Sequence, residues 1–144
     1  MILQLIAAFF GSIGFAIILK IKGKQIFYAG IGGLVTWWIY LAAYEHLADY
    51  FLCNLIASVF VAFYAEIMAR VNRAPATIFL TAAAVPLIPG GKLYYTMYGL
   101  VSNDEAMFVE NGTAAITIAL AISLGFVIVT LINKYLNMLK RFKI

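Results

Sequence analysis

Five apolar runs, each near twenty residues long and separated by short polar segments, decide what this chain can become. A bilayer's hydrocarbon core is about 30 Å thick, and a helix rising 1.5 Å per residue needs about 20 residues to cross it. The runs cover residues 2–19, 26–44, 50–69, 78–101 and 112–133. None alternates with a period of two over ten-residue units, so helices and not barrel strands are predicted. Hydrophobic residues make up 65% of the 144 positions and charged residues 11%, against about 45–50% and about 25% in soluble domains. A soluble domain of this size could not hide that apolar surface. A soluble enzyme, a nucleic-acid binder and a disordered chain are thereby excluded. The chain reads as one all-α integral membrane bundle over residues 1–144, with the lipid bilayer as its first partner.

The charges between the runs set an orientation. Lys20, Lys22, Lys24, Arg70, Arg73, Lys134, Lys140, Arg141 and Lys143 fall on one side of a five-span arrangement, nine of the ten basic residues. Glu45, Asp49, Asp104, Glu105 and Glu110 fall on the other. Cytoplasmic loops collect Lys and Arg, so the N-terminus is predicted outside and the C-terminus inside, in a multi-pass protein of the cell (cytoplasmic) membrane. The net charge of +4 then needs no nucleic acid to explain it. Tyr44, Tyr50, Tyr135 and Phe142 suit interfacial anchoring. The N-terminus has no basic leader region, so the first run is read as a retained span. The single cysteine, Cys53, lies in an apolar run and reads as a buried structural thiol. Ala7 with Gly11, Ala29 with Gly33, and Ala121 with Gly125 are small pairs four apart, spaced for close helix approach.

The fourth run is the irregular one. Val85-Pro86-Leu87-Ile88-Pro89-Gly90-Gly91-Lys92 lies in the middle of residues 78–101. Two prolines remove two backbone donors and push Val85 and Ile88 away from the α region. Two glycines follow, which permit positive φ and weaken a helix. A break at Pro86–Gly91 is therefore predicted. One reading puts it near the middle of the membrane, where a half-helix starting at Gly90 and Gly91 would aim free N–H groups at a carboxylate, with Lys92 adding charge. The other ends the span at Pro89, makes Gly90-Gly91 a turn at the membrane edge, and lays residues 93–101 along the surface.

Glu66 is an acid inside the third run, four residues before Arg70. It reads either as half of a local ion pair or as a site of proton coupling. Arg73 anchors the end of that run. His46 near Glu45 and Asp49 lacks the second His or Cys that a metal site would need. Asn54, Ser58, Thr77, Thr81, Thr96, Thr113 and Thr117 suit interhelical hydrogen bonds or a polar cavity. Asn111-Gly112-Thr113 matches a glycosylation sequon. No nucleophile–base pair, Walker loop or dinucleotide fingerprint is legible, so neither enzymatic activity nor a metal or other cofactor is expected.

The stretch from Ala65 to Thr77, with Glu66, Arg70, Arg73 and Pro75, followed by Val85-Pro86-Leu87-Ile88-Pro89-Gly90-Gly91 and Leu93-Tyr94, resembles the threonine/serine exporter (ThrE-type) family, in its small-subunit (YjjB-like) form. The resemblance implies export of threonine and serine or, in the two-component bacterial form, of succinate-like dicarboxylates. It also implies a second multi-span exporter subunit as partner, a homo-oligomer being the other form of assembly expected of so small a bundle. Glu66, Arg70, Arg73, Pro75, Pro86, Pro89 and Gly90 match its motif; Lys92 stands where smaller or polar residues are usual. The expected site is thus Pro86, Pro89, Gly90, Gly91 and Lys92 for a small carboxylate substrate, with Glu66, Arg70 and Arg73 as coupling groups or a structural salt pair. The competing expectation is a membrane subunit that transports nothing itself and stabilises a larger partner.

Overall fold

Outside the fourth apolar run, with its prolines, nothing in the runs interrupts the backbone ladder, and the polar segments between them carry the residues that stop it. The computed structural model describes the backbone of residues 1–141, with side chains through Leu136 and at Met138. Every regular element described is helical: α1 (Ile2–Ile18), α2 (Gln25–Leu47), α3 (Tyr50–Asn72), α4 (Ala76–Ala84), a single 3-10 turn (Val85–Leu87), α5 (Gly90–Val101) and α6 (Glu105–Arg141). Helices α2, α3 and α6 are long and apolar enough to cross a membrane. The pair Ala76–Leu87 and Gly90–Val101, bent by 55°, makes a fourth candidate if taken as one broken span. Helix α1 is apolar but has 17 residues. Phe142 and Lys143, and the side chains of Lys140 and Arg141, lie outside the described residues.

Left-handed residues follow the ends of α1, α2, α3 and α5. Lys20 (φ 58°) ends α1, with the Ile21 N–H donating to the Ala16 carbonyl at 3.0 Å. Arg73 (φ 51°) ends α3, with the Ala74 N–H donating to Ala69 at 3.1 Å. Both six-to-one bonds capture carbonyls that a helix end leaves open. Asp49 opens α3 by accepting the Leu52 N–H at 2.9 Å, and Asp104 accepts the Met107 N–H at 3.0 Å. That second cap starts the last helix ahead of the expected fifth span, which lies within it. Its helix starts at Glu105 and not at residue 112, because Asp104 caps it and Glu105 suits the positive end of the helix dipole. The sequon residue Asn111 therefore lies within a helix, its amide donating to the Met107 carbonyl at 3.0 Å.

Helix α3 is the hub, packed against α2, α4 and α6, while α1 lies on α2 and α4. Small residues set these approaches. A Cβ on Gly33 would collide with Ser12 on α1, and one on Gly125 with Ser58 on α3. The Ser58 hydroxyl donates to the Leu55 carbonyl at 2.8 Å and reaches Ala121 on α6 at 3.4 Å. The expected small pairs hold at Gly33 and Gly125 but not at Gly11, which faces open space. Alanine dominates the core, with Ala16, Ala29, Ala57, Ala82 and Ala83 fully buried beside Val61. Cys53 is buried and free.

Candidate functional site

The proline-glycine segment does break the helix, though not in every detail expected of it. Ile88 is extended (φ −61°, ψ 125°), as a residue before proline should be. Val85 stays in the α region (φ −49°, ψ −43°), because Pro86 occupies an early position of the 3-10 turn where its missing N–H costs nothing. Neither Gly90 nor Gly91 has positive φ; both lie in the first turn of α5. A Cβ added to either would meet nothing within 4 Å, so both border open space.

The break lies off-centre in the bundle. Twelve helical residues from Ala76 to Leu87 rise about 18 Å, and two extended residues bring the chain to about 25 Å. The twenty-three residues of α3 rise about 34 Å. Gly90 therefore arrives beside Tyr50 and Asn54, in the first two turns of α3. Relative to α3 the break is thus off-centre: residues 78–101 count as one run in the sequence, but α5 bends away by 55° and packs mainly on α6. The middle of the run is not the middle of the bundle.

One cavity of about 500 Å³ gathers the segment, with Pro86, Pro89, Gly90, Gly91 and Lys92 all on its wall. The first four amides of α5 matter here. The Gly90 N–H donates to Ile88 at 2.7 Å and the Leu93 N–H to Pro89 at 2.9 Å. The Gly91 and Lys92 amides have no backbone acceptor, and no side chain caps the helix. The Lys92 ammonium rests over the Tyr50 ring, 5.3 Å from its centre. Asn54 is buried, and its amide donates to the Tyr50 carbonyl at 2.7 Å. Asn111 also lines the cavity. Both asparagines spend an N–H on their own helix, which leaves the side-chain carbonyls as acceptors.

Part of the wall is aromatic. Trp37 and Tyr40 line it from α2 and Tyr95 from α5. Trp37 stacks on Tyr40 at 4.8 Å, and the stack continues through Tyr44 to Tyr50 at 6.0 and 5.7 Å. These residues had a signal in the sequence, since Trp37, Tyr40 and Tyr44 recur on one helical face. That the face turns towards α5 is a tertiary fact.

Glu66, Arg70 and Arg73 are elsewhere. Glu66 pairs with Arg70 at 3.8 Å, with both side chains partly exposed. It lies twelve residues along α3 from Asn54, about 18 Å away. Arg73 is exposed at the end of α3. The two expected groups of residues thus form two places and not one.

No curated protein and no solved structure matches the chain. The family model described as "Threonine/Serine exporter, ThrE" matches residues 4–132, nearly the whole length and including every residue of the cavity. That is a family of transporters and not of enzymes. The chain therefore belongs to the threonine/serine exporter family.

Proposed function

We propose that the chain is a membrane-spanning subunit of a secondary exporter for small carboxylate-bearing metabolites, threonine and serine or succinate-like dicarboxylates. The observation that carries this reading is the single cavity joining the uncapped start of α5, the Lys92 ammonium and two asparagine side chains. Free amides and the positive end of a helix dipole favour a carboxylate, and Lys92 adds a full charge. The Asn54 and Asn111 carbonyls and the aromatic wall would receive the ammonium of an amino acid. A cavity of about 500 Å³ is within the usual range for small-molecule sites.

In this reading the chain crosses the cytoplasmic membrane five times, N-terminus out and C-terminus in. Helices α1, α2, α3 and α6 each cross once, and α4 with its break is the remaining crossing. The cavity then opens near the outer face. Alternating access would come from the bundle rocking against a second multi-span subunit or a second copy. The partly exposed Glu66–Arg70 pair has the geometry of a local i,i+4 contact worth about 0.2–0.5 kcal/mol, which favours a structural role over proton coupling.

The test is efflux of threonine, serine and succinate from cells that express the full chain with its native neighbours, together with copurification of the complex. Gly91→Val and Lys92→Gln are expected to abolish or sharply reduce export while the complex stays intact. Export unchanged in both variants would remove the cavity from transport. Export lost only together with the complex would favour the second reading, a subunit that stabilises a larger partner. The poorly covered α5 gives that reading some support, since Tyr94, Met97 and Val101 are all exposed.

A further inference from the structure

A second cavity, of about 420 Å³, opens at the other end of the bundle. Lys20 and Lys22 line it from the α1–α2 connection, Thr77 and Thr81 from α4, and Leu19 and Ile78 give it an apolar wall. The lysines stand on an anchored loop. Lys20 closes α1 in the left-handed conformation, and Ile21 between them is 8% exposed, packed into the cluster of Ala16, Ala29 and Ala82. Holding two ammonium groups at one rim therefore costs little further backbone entropy. Among the described residues no carboxylate lines this cavity. The ion pair found among the described residues, Glu66 with Arg70, engages neither lysine. Thr81 donates its hydroxyl to the Thr77 carbonyl, and Thr77, in the first turn of α4, is exposed on the cavity wall. Lys24, Arg70 and Arg73 belong to the same end but not to the cavity, so the site is more specific than a general surplus of positive charge.

We propose that this cavity binds the headgroup phosphate of an anionic phospholipid. Lys20 and Lys22 neutralise the phosphate, Thr77 donates to it, and an acyl chain runs along Leu19 and Ile78. A soluble phosphate would match the lysines but leave the apolar wall bare. A lipid matches both, and basic pockets between helices at the cytoplasmic side are suited to such headgroups. The site is separate from the cavity at the helix break, about the length of α4 away, and does not depend on what that cavity transports.

The experiment is native mass spectrometry of the full chain in mild detergent, with phosphatidylglycerol or phosphatidylcholine added at equal mole fraction. Phosphatidylglycerol adducts should exceed phosphatidylcholine adducts roughly tenfold. Lys20→Gln with Lys22→Gln should bring the two to parity, and Lys24→Gln should leave the preference intact. Because Lys20 also closes a turn, Lys22→Gln with Thr77→Val is the second variant, expected to cut the preference without touching that turn. Equal retention of both lipids by the unaltered chain, or an unchanged preference in both double variants, would overturn the proposal. So would a loss in Lys24→Gln as large as in the cavity variants. Displacement of the lipid by millimolar inorganic phosphate would reassign the site to a soluble anion.

Discussion

Lys92 is the basic residue that the positive-inside pattern does not absorb, and it is the one on the cavity wall. A hydrogen bond to a charged group contributes about 1.5–3 kcal/mol, or roughly ten- to a hundredfold in affinity. Lys92→Gln should therefore raise the substrate concentration for half-maximal export by at least about tenfold, with Lys92→Arg retaining part of the affinity. Efflux measured against internal substrate concentration reads this directly. At the opposite extreme is Ser12, whose buried hydroxyl has no partner where α1 meets Gly33 of α2. An unsatisfied buried hydroxyl costs about 1–3 kcal/mol. Ser12→Ala should accordingly stabilise the protein by about 1 kcal/mol, seen as a higher midpoint of thermal unfolding in detergent. Single residues such as Gly91 and Lys92 could be picked out from the sequence because their chemistry is local: a free amide and a charge among apolar neighbours. Trp37, Tyr40 and Tyr95 could not, since their part in the cavity depends on which way two distant helices turn.

At the scale of elements, apolar runs and stop signals gave the helices, but capping decided where they begin and end. Glu105, Glu110 and Asn111 look like a loop by polarity, and Asp104 nonetheless starts a helix ahead of them. The same local chemistry makes a weak point at Ala48, which ends α2 at φ 49°. A left-handed residue with a Cβ costs about 1–2 kcal/mol relative to glycine. Ala48→Gly should thus raise stability by about 1 kcal/mol without altering transport, a combination that unfolding and efflux assays together would check. Gly125 makes the contrary case. Leucine there would be driven into Ser58 and the backbone of α3, an overpacking cost of typically about 1–3 kcal/mol. Gly125→Leu should lower the unfolding midpoint, whereas Gly11→Leu, facing open space, should not.

For the whole molecule, what could not be read along the chain is the course of α5. Its twelve residues are apolar enough to have been counted in the fourth run, yet their packing is mainly against the first turns of α6. Gly99 approaches Phe108 and Thr96 approaches Gly112, so α5 lies alongside the part of α6 that carries Glu105 and Glu110. The proposed topology puts those acids at the end of the hydrocarbon, and Tyr94, Tyr95 and Tyr98 are exposed at the same level, as tyrosines at a membrane interface would be. On the proposed topology α5 would lie in the outer headgroup zone, with the break beneath it. Because Cys53 is fully buried, the unaltered chain should not react with a membrane-impermeant maleimide, and single cysteines can be introduced without other changes. Tyr98→Cys and Ser102→Cys should label from outside intact cells. Lys22→Cys should label only after the cells are opened, and Leu120→Cys, exposed on α6 but level with the hydrocarbon in the proposed topology, should not label at all. Protection at Tyr98→Cys would put α5 back inside the lipid and restore a mid-membrane break. Labelling of Ser102→Cys only in opened cells would invert the orientation and move the cavity to the cytoplasmic face.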